Sequence, residues 1–93
     1  MKLHFDKVAM QAEVLKYVSP GMPVENAKRI MEDSGFACEK SFYEGPACVL
    51  CSAVYRGHFF STVESGIDKI HVRLYHESGK VTEIKTECYS VGP

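Results

Sequence analysis

The sequence predicts an α+β domain spanning residues 1–93, with two N-terminal helices packed on one face of a three- to four-stranded antiparallel sheet. Apolar residues recur at helical spacing before Gly35 and alternate as in strands after it. Clusters of Gly, Pro and Ser separate these segments. A chain of 93 residues with 45% hydrophobic content has material for one hydrophobic core.

A first helix is predicted from about His4 to Val18. Four apolar residues follow one another at spacings of three, four and three, which places them on one helical face: Phe5, Val8, Ala12 and Leu15. We expect this stripe to meet the core. Ser19-Pro20-Gly21 ends the helix, because proline cannot continue it.

A second helix is predicted from about Pro23 to Ser34. Proline at a first helical position has a preset φ, and Glu25 then lies in the first turn, where the helix dipole favours an anion. The apolar stripe consists of Val24, Ala27, Ile30 and Met31. Gly35 is suited to end the helix, since glycine readily takes a positive φ.

Four strand-like segments follow: Phe36–Tyr43, Cys48–Arg56, Ile67–His76 and Val81–Tyr89. In the first of them, Phe36, Cys38 and Phe42 share one side, and Glu44-Gly45-Pro46 predicts a turn. The second is apolar on both faces, which predicts a central position in the sheet. Gly57–Gly66 is compatible with a loop or with a short edge strand.

The last two strands are predicted to form a hairpin with Glu77-Ser78-Gly79 as a three-residue loop and Gly79 in the left-handed conformation. This register pairs Leu74 with Thr82, Val72 with Ile84 and Ile70 with Thr86 on the face that meets the helices. On the other face it pairs Arg73 with Glu83, His71 with Lys85 and Lys69 with Glu87. Two of these last three pairs join opposite charges, each contributing about 0.2–1 kcal/mol.

The charge balance and the N-terminus bear on the class of protein. The 11 basic and 12 acidic residues are interspersed, so nothing predicts nucleic-acid binding. No apolar run approaches the ~20 residues that a membrane helix needs. Residues 1–7 lack the apolar stretch of a signal peptide, which predicts a cytoplasmic chain as written. A mature domain without its leader would instead be periplasmic or secreted.

No known pattern of catalytic residues occurs in the sequence. It contains no nucleophile elbow, phosphate-binding loop or dinucleotide fingerprint. His71 and His76 are five apart on one strand and therefore face opposite sides of the sheet. The chain is predicted not to be an enzyme and to require no cofactor and no metal.

The four cysteines allow several interpretations. In a cytoplasmic chain, Cys38, Cys48, Cys51 and Cys88 are expected by default to be free thiols that pack as small apolar groups. Cys48-Val49-Leu50-Cys51 matches the Cys-x-x-Cys spacing of redox dithiols and half zinc sites, but strand alternation places its two cysteines on opposite faces. If a disulfide exists, the pair favoured is Cys38 with Cys51, on neighbouring antiparallel strands.

The run from Pro20 to Phe36, Pro-Gly-Met-Pro-Val-Glu-Asn-Ala-Lys-Arg-Ile-Met-Glu-Asp-Ser-Gly-Phe, is the most distinctive in the chain. It resembles the second-helix signature of the β-lactamase-inhibitor-protein-like domains and of the small outer-membrane assembly lipoproteins, with Pro23 in place of their usual Ser or Thr cap. Residues 77–81 are similar to their terminal hairpin turn. The resemblance implies a non-catalytic domain that presents a sheet face to another protein, and it transfers no site residues.

Three functions remain as hypotheses. The first is a protein-binding or inhibitor-like module. The sequence identifies neither its partner nor its oligomeric state. Exposed aromatic and charged residues would form its surface: Phe59, Phe60, His71, Arg73, Tyr75, Glu83 and Lys85. The alternatives are a thiol-based metal or redox protein centred on Cys48 and Cys51, and a domain that binds a small ligand between helices and sheet.

Overall fold

The computed structural model describes residues 1–41, 47–55 and 67–91 of the chain. In chain order these residues form helices α1 (Lys7–Leu15) and α2 (Val24–Asp33) and strands β1 (Ala37–Ser41), β2 (Cys48–Tyr55), β3 (Ile67–Glu77) and β4 (Lys80–Val91). The strands form one antiparallel sheet in the order β1-β2-β3-β4. The predicted α+β arrangement, with both helices N-terminal to the strands, is confirmed, and β2 is central as predicted.

Helix α1 turns a different face to the core from the one predicted. Asp6 caps its first turn by accepting a hydrogen bond from the Ala9 N–H at 2.7 Å. The buried residues of α1 are Met10, Glu13 and Val14, while Val8 is 77% exposed. The predicted stripe of Phe5, Val8, Ala12 and Leu15 was therefore wrong. Ala12 and Leu15 are also exposed, and Phe5 precedes the helix and stacks on Tyr55.

Helix α2 follows the prediction closely. Pro23 is its N-cap and not its first helical residue, which is Val24. Ser34 is its C-cap, and Gly35 takes a φ of +101° immediately after it. Val24, Ala27 and Met31 are buried, and Ile30 packs partly buried against the same cluster. The stripe was identifiable because every other residue of α2 is polar or charged.

The core lies between the helices and one face of the sheet, called here the inner face. It contains Met10, Val14 and Met31 from the helices and Val49, Cys51, Ile70, Val72, Leu74 and Ile84 from the strands. Successive strand residues point to opposite faces, so the residues between these lie on the other side of the sheet. The predicted division of β3 and β4 into two faces is confirmed, except that Thr82 is exposed.

The register of the β3–β4 hairpin differs from the prediction by two residues. Leu74 pairs with Ile84, Val72 with Thr86 and Ile70 with Cys88. The loop has two residues, Ser78 and Gly79, both at positive φ, 53° and 77°, as a type I′ turn requires. A β-bulge then leaves Thr82 without a partner, because His76 pairs with Val81 and Tyr75 with Glu83.

The connection between the helices covers the start of the edge strand β4. The Gly21 N–H donates to the Val81 carbonyl at 2.7 Å, and the Val81 N–H donates to the Met22 carbonyl at 2.8 Å. Farther along β4, the Gln11 side chain donates to the Ile84 carbonyl at 2.8 Å. These bonds hold the helical layer over the inner face. They also occupy backbone N–H and C=O groups of β4 that could otherwise pair with a strand of another chain.

Several expectations lie outside the described residues: the position of Phe42, the turn at residues 44–46 and the choice between loop and strand at residues 57–66. Strand β1, Ala37–Ser41, begins one residue later than predicted, although Phe36 is buried next to it. In the described part of the chain no helix has the length and apolar character needed to cross a bilayer.

Candidate functional site

The sheet face opposite the helices carries a band of polar and aromatic side chains, called here the outer face. On the last three strands it comprises Cys48, Leu50, Ser52 and Val54 of β2, Lys69, His71, Arg73 and Tyr75 of β3, and Glu83, Lys85, Glu87 and Tyr89 of β4. Alternation puts them on one side because the residues between them pack into the core. Among the described elements, both helices lie on the inner side.

A hydrogen-bonded pair of rings lies at one end of the outer face. The Tyr89 hydroxyl and the Nε2 atom of His71 are 2.7 Å apart, and the two rings meet edge to face with centroids at 4.7 Å. Tyr89 stands opposite Lys69 in the register, and His71 stands opposite Glu87. The two side chains thus hold each other in fixed orientations on a half-exposed surface.

Charged and aromatic contacts continue along the face toward the hairpin turn. Arg73 Nη1 lies 3.2 Å from Glu87 Oε2, a diagonal contact, because Arg73 stands directly opposite Lys85. The Lys85 ammonium lies 5.7 Å from the centroid of the Tyr75 ring, within cation–π range. Each large side chain in this row therefore has a neighbour that restricts its rotamers.

Five of the predicted site residues come together on this face: His71, Arg73, Tyr75, Glu83 and Lys85. The predicted pairs were wrong, however, since Arg73 contacts Glu87 and Glu83 stands opposite Tyr75. Phe59 and Phe60 lie outside the described residues. Tyr89 and Glu87 were not among the predicted site residues, although their odd-numbered positions on β4 place them on the same face as Lys85.

Comparisons of the chain with protein-family models, with curated proteins and with solved structures found no match. The interpretation of the outer face therefore depends on its own geometry.

The cysteines depart from the default expectation of four free thiols. Cys38 and Cys51 stand directly opposite each other on β1 and β2 and are joined as a disulfide, the pair favoured if one existed. Cys48, on the outer face, is buried and has no disulfide, and Cys88 is half-buried and free. Because Cys51 is bonded to Cys38, it is not available to Cys48 as a dithiol partner in this oxidation state.

A buried carboxylate was also missed by sequence analysis. Glu13 is 7% exposed, and its Oε2 accepts a hydrogen bond from the Lys2 N–H at 3.1 Å. Its Oε1 accepts from the Lys16 ammonium at 3.1 Å and lies 3.7 Å from His4 Nε2. The bonds from Lys2 and Lys16 hold the pKa of this carboxyl below its ordinary value, although burial acts in the opposite direction. Glu13 fixes the N-terminal segment on α1, which is a structural role.

The residues that the structure describes contain no group of three or more His, Cys, Asp or Glu side chains arranged to hold a metal ion. A groove of about 450 Å³ lies between α1 and the edge of β4, lined by Lys7, Val8, Gln11, Ile84, Lys85, Thr86 and Glu87. It is open to solvent beside the exposed Val8, at the rim of the contact between α1 and the sheet.

The pKa of the His71 imidazole lies below its ordinary value, and this gives a pH prediction. Burial is the largest cause of the lowered pKa. The positive charges of Arg73 and Lys69 lower the pKa further, whereas the negative charge of Glu87 raises it. Below the ordinary histidine pKa of about 6.5, His71 is protonated more readily in the unfolded chain than in the folded protein. The free energy of unfolding therefore falls as the pH decreases below this value. Above it the effect is absent, because both states are neutral.

Urea unfolding at about pH 7.5 and pH 5.5 measures this effect. We expect the wild-type free energy of unfolding to decrease more between these two values than that of His71→Gln, which keeps a polar side chain without a titrating ring. Equal decreases in the two proteins would show that His71 carries no such penalty.

Proposed function

We propose that the chain is a non-catalytic protein-binding module and that the outer face of the sheet is its binding surface. The observation that carries the proposal is the asymmetry of the described fold: both helices pack on the inner face, while the outer face presents ordered aromatic and charged side chains. The resemblance of residues 20–36 to the β-lactamase-inhibitor-protein-like domains implies the same use of a sheet.

The composition of the outer face suits an interface. Tyrosine and arginine are enriched among the residues that dominate binding energy, and Tyr75, Tyr89 and Arg73 lie on neighbouring strands here. Val54, which is 40% exposed, and half-buried Leu50 add apolar area on β2. A partner would thus meet an apolar strip beside a row of polar groups, the usual division of a protein interface.

The contacts within the face lower the entropic cost of binding. A rotamer-rich side chain that is immobilised at an interface costs about 0.5–1.5 kcal/mol. Arg73, Lys85 and Tyr89 are already restrained in the free domain by Glu87, Tyr75 and His71, respectively. A partner that keeps these contacts avoids part of that cost.

The test compares two double variants of matched chemistry. Arg73→Ala with Tyr75→Ala removes two side chains from the outer face, whereas Arg29→Ala with Tyr17→Ala removes the same two types from exposed positions on the helical side. Biotinylated wild-type protein captures partners from an extract, mass spectrometry identifies them, and calorimetry with the purified partner then gives affinities.

We expect the outer-face variant to bind at least about tenfold more weakly than wild type, since truncating a hot-spot residue costs about 2 kcal/mol or more. The helical-side variant should retain wild-type affinity, and circular dichroism should show both variants folded. Equal affinity of the outer-face variant and wild type, or loss confined to the helical-side variant, would refute the proposal.

A further inference from the structure

The disulfide between Cys38 and Cys51 joins an edge strand to an interior strand, so its two sulfurs differ in access. Cys51 is 0% exposed and lies on β2 directly opposite Val72, which is also 0% exposed. Cys38 is half-buried on β1, which is at the edge of the sheet. Cys38 is thus partly accessible to solvent, whereas Cys51 is enclosed by core side chains.

This difference decides where a thiol can attack. A thiolate displaces one sulfur from another by approaching along the line of the sulfur–sulfur bond, from the side opposite the leaving sulfur. For attack on Cys38, that side faces outward across the edge of the sheet. For attack on Cys51, it faces β3, where Val72 fills the space.

We propose that Cys38 is a site of thiol–disulfide exchange with low-molecular-weight thiols of the glutathione class, and that Cys51 is always the leaving sulfur. Lys40 lies two residues along β1 on the same face as Cys38 and is exposed. A positive charge on this side of β1 favours the approach of an anionic thiolate. This assignment is independent of the partner-binding proposal, because Cys38 and Cys51 lie on the inner face.

The thiol–disulfide exchange takes place in two steps. An external thiolate forms a bond to Cys38 Sγ, the Cys38–Cys51 bond breaks, and its electron pair leaves on Cys51 Sγ, which then takes a proton. A second external thiolate attacks the external sulfur of the mixed disulfide and releases Cys38 as a thiolate, which is also protonated. Two small thiols are oxidised to their disulfide, and the protein disulfide is reduced to two thiols.

Reduction of the Cys38–Cys51 disulfide is expected to loosen strand β1. β1 has five residues, and among the described strands it pairs with β2 alone. The disulfide is therefore a covalent cross-link between this strand and the interior of the sheet. The β3–β4 hairpin is joined by its own turn and keeps its pairing. Amide exchange should therefore speed up more in Ala37–Ser41 than in the middle of β3 after reduction, because β1 can then open without unfolding of the whole domain.

Two single variants that lack the disulfide equally provide the matched test. Cys51→Ala leaves Cys38 as a free thiol, and Cys38→Ala leaves Cys51. With iodoacetamide on the folded proteins, followed by peptide mapping, we expect Cys38 to be alkylated at least about tenfold faster than Cys51, because exposure controls thiol reactivity. Equal rates, or faster reaction at Cys51, would overturn the proposal.

The wild-type chain provides a second readout that does not depend on how a variant folds. The oxidised protein is treated with limiting reduced glutathione, quenched with acid, alkylated and mapped. We expect the mixed disulfide on Cys38 and the alkyl group on Cys51. Glutathione on Cys51, or an air-oxidised chain in which Cys38 and Cys51 are not linked, would refute the assignment.

Discussion

Replacing Met10 by alanine is expected to lower the free energy of unfolding by about 2–4 kcal/mol, whereas replacing Val8 by alanine should change it by less than about 0.5 kcal/mol. Met10 is 0% exposed in the core and Val8 is 77% exposed on the same helix. The first substitution removes buried apolar groups and leaves a cavity. The second removes groups that are already in water.

The pair is informative because the stripe predicted from the sequence contains Val8 and not Met10, which implies the opposite ranking. Both variants end with alanine inside the same helix, so helix propensity favours both and does not explain a large loss in one. Urea titrations monitored by circular dichroism give the two free energies and their slopes. A larger loss for Val8→Ala than for Met10→Ala would mean that α1 turns its other face to the sheet.

The orientation of α1 could not be predicted because the segment has two apolar stripes. Val8, Ala12 and Leu15 follow helical spacing, but so do Met10, Val14 and Val18, which are the residues that are buried. Periodicity alone does not choose between them in a helix of nine residues. Tertiary contacts decide the choice, namely the bond from Gln11 to the Ile84 carbonyl and the bonds that satisfy Glu13.

In the β3–β4 hairpin, the alternation of apolar and polar residues predicts the face that each side chain occupies but not the residue that stands opposite it. The predicted and observed registers differ by two residues, and a shift of two leaves every side chain on the same face. The members of the outer face were therefore predictable, whereas their pairing was not. Opposite charges across a strand pair contribute about 0.2–1 kcal/mol each. The observed pairing follows instead from the two-residue turn at Ser78 and Gly79 and the bulge at Thr82.

For the cysteines, the sequence predicts which pair is favourably placed but not whether a disulfide forms. Neighbouring antiparallel strands were enough to favour Cys38 with Cys51 if any pair formed, and the structure joins these two. Whether a bond forms also depends on the redox conditions that the chain meets, and composition does not encode them. The contacts of Lys2 and His4 with the buried Glu13 were equally hidden, since they require the N-terminal segment to fold back on α1.

Reducing the Cys38–Cys51 disulfide is expected to lower the free energy of unfolding by about 3 kcal/mol. The two cysteines are 13 residues apart in sequence, and the chain-entropy model gives about 3 kcal/mol for a loop near this length. Most of the effect arises in the unfolded chain, which gains conformational freedom when the loop opens. The half-buried position of Cys38 makes the bond accessible to a reductant before the domain unfolds.

The measurement is a pair of urea titrations of the wild-type protein, one oxidised and one with excess dithiothreitol, with the same pair on Cys38→Ala as the control. The reductant should move the wild-type midpoint and leave that of the variant unchanged, because the variant has no bond to reduce. A steeper slope should accompany the wild-type shift, since the reduced unfolded chain is less compact. If the wild-type midpoint did not move, packing of β1 on β2 and α2 would be sufficient to hold the edge of the sheet, and the disulfide would add no stability.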